Sequence, residues 1–177
     1  MADSVRRQIA AHLAAAFEAL TTANGSKVNV TLVERYLQQP AEHPADLEGW
    51  RVGFYLGRET RQGTNPGQIL WSLEGEAQAA TSVNIQATWD AEDMADGVVE
   101  QWRQEQAADA LDELKHALEG AAGAVSRGGI AINTEITSRY ADEGFPAKDA
   151  SSNGGRDVYC GCVCAFKILY LDQPTRT

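Results

Sequence analysis

The chain has 177 residues, 44% of them hydrophobic and 23% charged, which is the composition of one folded globular domain and excludes a disordered chain. Its formal net charge of −10 argues against a protein that grips nucleic acid, because phosphate binding needs a concentrated basic patch. No run approaches the roughly 20 apolar residues of a membrane span, and the stretch Met1–Arg7 lacks the apolar core of a secretion signal, so a cytoplasmic origin is expected.

Val5, Ile9, Leu13, Ala16, Phe17 and Leu20 recur at helical spacing and predict a helix from Ser4 to Ala23, capped by Asp3 or Ser4 and ended by Asn24-Gly25. His12 falls on the apolar stripe, where a histidine reads as a packed or interface residue rather than a ligand. Lys27–Glu34 alternates apolar and polar as a half-buried strand does. Pro40 and Pro44 break the stretch Gln38–Gly49. Alternation resumes at Trp50, Val52, Phe54 and Leu56, with Arg51, Gly53 and Tyr55 on the other face. A turn over residues 61–67 then leads into Ile69, Trp71 and Leu73, which together predict a long hairpin with a polar tip. After a break near Gly75, Val83, Ile85, Ala87 and Trp89 predict another strand, and the three tryptophans Trp50, Trp71 and Trp89 read as core.

Residues 90–119 read as helical and strongly acidic, with Asp90, Glu92, Asp93 and Asp96 placed where a helix N-terminus favours negative charge. The apolar stripe carries a phase fault. Ala107, Leu111, Leu114 and Leu118 share one face, whereas Met94, Val98 and Trp102 share another, and at about 100° per residue Trp102 and Leu111 oppose each other. A break between Arg103 and Gln106 is the expected cause; a continuous helix on two partners and a face turned to another subunit are the other readings. Gly120–Gly129 is a small-residue loop, and Ile130, Ile132, Thr134 and Ile136 begin a strand toward Tyr140. Residues 141–157 form a second long loop, of a length usually functional or mobile. The last strand, Val158–Leu171, places Cys160, Cys162 and Cys164 on one face. Such spacing suits neither an easy disulfide nor a tetrahedral zinc site, so the thiols read as core.

Signatures of catalysis are missing from the sequence. It has no phosphate-binding Gly-x-x-x-x-Gly-Lys-Ser/Thr loop, no Gly-x-Gly-x-x-Gly turn, no His-Glu-x-x-His and no Gly-x-Ser-x-Gly elbow. His12, His43 and His116 have no sequence neighbour that suggests a relay, and adjacent acids such as Glu92-Asp93 and Asp112-Glu113 diverge on a helix. The reading is therefore a protein that is not an enzyme, with no catalytic residue, cofactor or metal ion. The expected fold is a single α+β domain over residues 1–177: a mostly antiparallel sheet of about five strands, with an N-terminal helix and an acidic second helical region packed on it.

The order and spacing of these elements resemble the tail terminator family of long-tailed bacteriophages. The resemblance rests on the helix Ser4–Ala23, the strand Val28–Val33, the proline-bounded stretch Pro40–Asp46 leading into Trp50–Thr60, a strand ending at Trp89, the helix Ala107–Leu118, and the closing strand Val158–Leu171 near Pro174. Residues 90–104 extend the helical region beyond the family pattern, and Glu48-Gly49 stands where a proline is frequent. The resemblance implies a structural virion protein at the head-proximal end of the tail. There it would form a homo-hexameric ring that stops tube polymerisation and presents a docking platform to neck or connector proteins. Its partners would be itself, the tail tube protein and a neck protein, with DNA only in transit through an acidic lumen and no membrane. Candidate assembly contacts are Arg61, Gln62 and Asn65 at the hairpin, Trp102 on the acidic helix, and Lys148 and Arg156 in the second loop. A neck or head-completion connector, and a small monomeric α+β binding module or enzyme, are the alternative readings.

Overall fold

A computed structural model describes residues 4–37, 49–65, 67–141 and 157–172. Helix α1 (Val5–Glu18) starts at Ser4, whose side chain accepts the Arg7 N–H. It ends earlier than its apolar periodicity suggests: Ala19 caps it, Thr22–Asn24 forms a 3-10 turn, and left-handed Gly25 closes that turn rather than the helix. Strand β1 (Val30–Glu34) follows, then the hairpin of β2 (Trp50–Asn65) and β3 (Gln68–Asn84). Two short helices, α2 (Ile85–Thr88) and α3 (Ala91–Ala95), lead into α4 (Val98–Lys115), which widens into a π-type turn at His116–Gly120. Strands β4 (Asn133–Ala141) and β5 (Asp157–Asp172) complete one sheet of order β1-β2-β3-β5-β4. Only β1 runs parallel to its neighbour; every other pair is antiparallel. The expected α+β class, with about five mostly antiparallel strands and two helical regions, is the class observed.

One core joins both helices to one sheet face. Ile9, Leu13 and Phe17 of α1, together with Ala110 and Leu114 of α4, meet Val52 and Phe54 of β2, Leu73 and Ala77 of β3, and Cys160, Cys162, Cys164, Phe166 and Ile168 of β5. Phe17 and Phe54 pack with ring centroids 5.5 Å apart. All three thiols are free and buried, as their alternation predicts. Burial raises the pKa of Cys162, with the neighbouring thiols adding to the effect, and pushes Cys164 up to about 12.

Three expectations are corrected. The hairpin has no long tip over residues 61–67: pairing continues through Arg61↔Trp71 and Thr64↔Ile69 to Asn65↔Gln68. β3 runs unbroken through Gly75 to Asn84 and stops there, so residues 85–89 are not strand, and Trp89 packs edge-on against Trp102 at 5.4 Å. Finally, the acidic helix is continuous from Val98, and its break falls at Gly97, held at φ 76, instead of between Arg103 and Gln106.

The phase fault in α4 has a packing cause. Its buried centre is made of alanine and one leucine, Ala107, Ala110 and Leu114, while Trp102 and Leu111 are only partly buried. Measured from Ala110 at about 100° per residue, Trp102 lies about 80° to one side and Leu111 about 100° to the other. Small residues let the helix axis approach the sheet, and the large side chains reach down over its two flanks. A single wide face thus packs both Trp102 and Leu111 against the core.

Candidate functional surfaces

The sheet has two outer edges, and they are treated differently. At β4 the ladder bulges between Ile136 and Ser138, and the Ile136 N–H donates to the Glu119 carboxylate at 2.5 Å. A side chain from the π-type turn thus blunts that edge against strand pairing. At the other side β1 pairs with β2 only from Trp50 to Gly53. Beyond Gly53 no strand among the described residues covers β2, and the arm carrying Arg58, Arg61 and Gln62 extends from there to the hairpin end, with all three side chains exposed.

The short strand β1 is pinned by a charge network that the sequence does not announce. Arg51, 2% exposed, forms an ion pair with Glu34, whose other carboxylate oxygen accepts the Tyr36 hydroxyl at 2.8 Å. The Tyr36 ring lies 5.9 Å from the Arg51 guanidinium carbon, within cation–π range. Next to it, the side chain of Arg6 at the start of α1 donates to the Leu56 carbonyl at 2.5 Å and pairs with Glu59 at 3.4 Å. Arg6, Arg7 and Arg35 line a recess of 210 Å³ against Phe54, Tyr55 and Leu56, on the open side of β2. With Arg58 and Arg61, five arginines gather along this edge.

A larger cleft, 690 Å³, separates the C-terminal half of α1 from the end of α4. Its walls are alanines, Ala15, Ala16 and Ala19 on one side and Ala117, Ala121 and Ala124 on the other. Three of its polar residues serve the local backbone. Asn24 Nδ2 donates to the Ala19 carbonyl at 3.0 Å, Ser26 Oγ accepts from Val28 N at 3.2 Å, and Glu113 accepts from Lys27 N at 2.9 Å. His12 packs on Gly128, which has φ +68, and its buried Nδ1 has no hydrogen-bond partner. Burial, reinforced by the Arg127 charge, lowers the His12 pKa and keeps it neutral near pH 7.

Arg127 is fully buried at φ 48, where it donates to the Ala117 and Leu118 carbonyls at 3.1 and 2.5 Å. A cation there satisfies carbonyls that the helix end leaves open. Burial lowers its pKa from 12.5 to about 10, which leaves it charged at neutral pH.

The structure places Arg61 and Gln62 on the exposed arm, as expected of contact residues, and Asn65 at its last paired position. It separates Trp102 from them, since that ring is engaged by Trp89 within the chain. Lys148 and Arg156 lie outside the described residues, as does His43. Sequence reasoning missed Arg6, Arg35 and Arg58 as companions of Arg61. Their charge was legible, but the crossing of α1 past β2 that gathers them was not. Among the described residues no group of three or more His, Cys, Asp or Glu is placed to hold a metal ion, and no helix is long and apolar enough to cross a membrane. No protein-family model and no curated protein matches the chain.

Proposed function

We propose that this chain is a structural virion protein of the tail terminator kind, which closes into a hexameric ring on the end of the tail tube, stops tube growth and gives neck proteins a platform. What supports the reading is the order of elements among the described residues: an N-terminal helix, a short edge strand, two long paired strands, a second helix on the same sheet face and a long closing strand, although the strand that the resemblance ends at Trp89 stops at Asn84. The exposed hairpin arm supports it further, because it offers a surface beyond the core for a neighbour or the tube.

Light scattering after size exclusion tests the proposal directly. The expected result is a hexamer near six times 19.1 kDa, or a monomer that becomes ring-shaped and caps tubes when purified tail tubes are added, as seen by electron microscopy. A protein that forms rings but binds the portal side of the neck and leaves tubes uncapped would shift the assignment to a head-completion connector. One that stays monomeric and ignores tubes would overturn the assembly reading.

A further inference from the structure

The charges of this chain are separated along its length. Residues 90–100 carry Asp90, Glu92, Asp93, Asp96 and Glu100 with no lysine or arginine. All five side chains are exposed. Among the described residues Arg103 reaches this segment: it donates to the Tyr159 carbonyl at 3.1 Å and to Glu100 at 3.2 Å. This acidic lobe, α3 and the first turn of α4, follows the end of β3 at Asn84. The arginine recess lies beside Leu56, which pairs with Gly75. Nine residues of β3 separate Gly75 from Asn84, or roughly 30 Å of strand.

Over such a distance the two patches do not neutralise each other, because salt screens exposed charges beyond about 8–10 Å. On the arginine edge, Glu59 pairs with Arg6, while Arg35 at the recess and Arg58 and Arg61 along the β2 arm are exposed. Among the described residues no strand pairs with β2 beyond Gly53 on that side, whereas the β4 edge is already blunted by Glu119.

We infer that the arginine edge, formed by the recess that Arg6 and Arg35 line and by Arg58 and Arg61 on the adjoining arm of β2, is a docking site for the acidic lobe around Asp90, Glu92, Asp93 and Asp96 of a second copy of this chain. The two patches are different, one beside the middle of β2 and the other after the end of β3, so the contact is head-to-tail. Such a contact forms a ring when the rotation per subunit closes. The inference rests on the assembly reading above and specifies which surfaces meet. Complementary charge of this kind fixes partner and orientation, and it makes association salt-sensitive.

Paired charge reversals test it by light scattering, with circular dichroism to verify folding; the substituted side chains are exposed. Arg58→Glu with Arg61→Glu puts acid against acid, and Asp93→Lys with Asp96→Lys puts base against base. Each double variant alone is expected to need at least tenfold more protein to assemble, and raising salt from 50 to 500 mM is expected to weaken wild-type assembly by roughly tenfold. Mixed in equal amounts, the two variants regain both complementary contacts and are expected to assemble in an alternating arrangement near the wild-type concentration. Wild-type rings that neither reversal nor salt disturbs would overturn the charge pairing and leave the ring reading standing. So would folded variants that fail to assemble even when mixed. A wild type that remains monomeric with and without tubes would overturn both.

Discussion

Cys160, Cys162 and Cys164 are reactive groups made inert by position. Each is fully buried on the helix-covered face of β5, and burial pushes the pKa of Cys162 and Cys164 well above neutral, so the nucleophilic thiolate is scarce. In a thiol-reagent assay near pH 8, the folded protein is expected to leave all three unmodified and to release all three on adding denaturant. Fast labelling of the native state would contradict this packing. His12 has the opposite problem, a neutral ring held beside a buried cation. Its folded pKa lies below the ordinary 6.5, so as pH falls below 6.5 the unfolded chain takes up more protons than the folded one. The stability that neutral His12 confers is complete above that value and shrinks as pH drops toward the folded pKa. Urea midpoints at pH 7.5 and 5.5 are expected to fall more for the wild type than for His12→Gln, and equal slopes would remove His12 from this role.

At the scale of elements, glycine sets where strands and helices do and do not break. Gly75 reads as a strand breaker in sequence, yet β3 passes through it without interruption. The Phe166 ring of the paired strand occupies the space: a β-carbon at Gly75 would stand 2.5 Å from two ring carbons. Glycine here is a seat for an aromatic side chain. Gly75→Ala is expected to force that ring aside and lower stability by about 1–3 kcal/mol, read as a shifted denaturant midpoint with unchanged slope. A neutral effect would mean that Phe166 has another place to go. Gly97 acts in the usual sense. Its left-handed φ of 76 ends α3 and starts α4, which lets the acidic lobe depart from the line of the long helix.

Across the whole molecule, apolar and charged surfaces are sorted separately. Burial joins α1, α4 and one sheet face into a core that takes in Ala110 and Leu114 of α4, with Trp102 and Leu111 packed against it. The charges remain outside that core. Half of the net charge of −10 sits in residues 90–100, far from the arginines around Arg6 and Arg35. Particle mass and its salt response therefore report on different parts of the proposal. Mass addresses whether copies close into a ring, and salt addresses which surfaces hold them there.

Local periodicity in the sequence was enough for the class of fold, for the helix carrying Ile9, Leu13 and Phe17, and for the buried face of β5, because a side chain's direction along a helix or strand repeats regardless of what lies opposite. It was also enough to mark residues 90–100 as acidic and Arg61 as exposed. What it could not determine depended on partners distant in the chain. The extent of β2 and β3 was decided by cross-strand pairing, which carries polar Arg61–Asn65 and flexible Gly75 as strand where local preference reads a turn and a break. Arg51 and Arg127 look like surface residues until Glu34 and the Ala117 and Leu118 carbonyls are brought to them, since burial of a cation is tolerable only with acceptors in place. The arginine recess is likewise a product of topology. Arg6 lies on α1, Arg35 just after β1 and Arg58 on β2, and the packing of α1 beside β2 brings them to one side of the sheet.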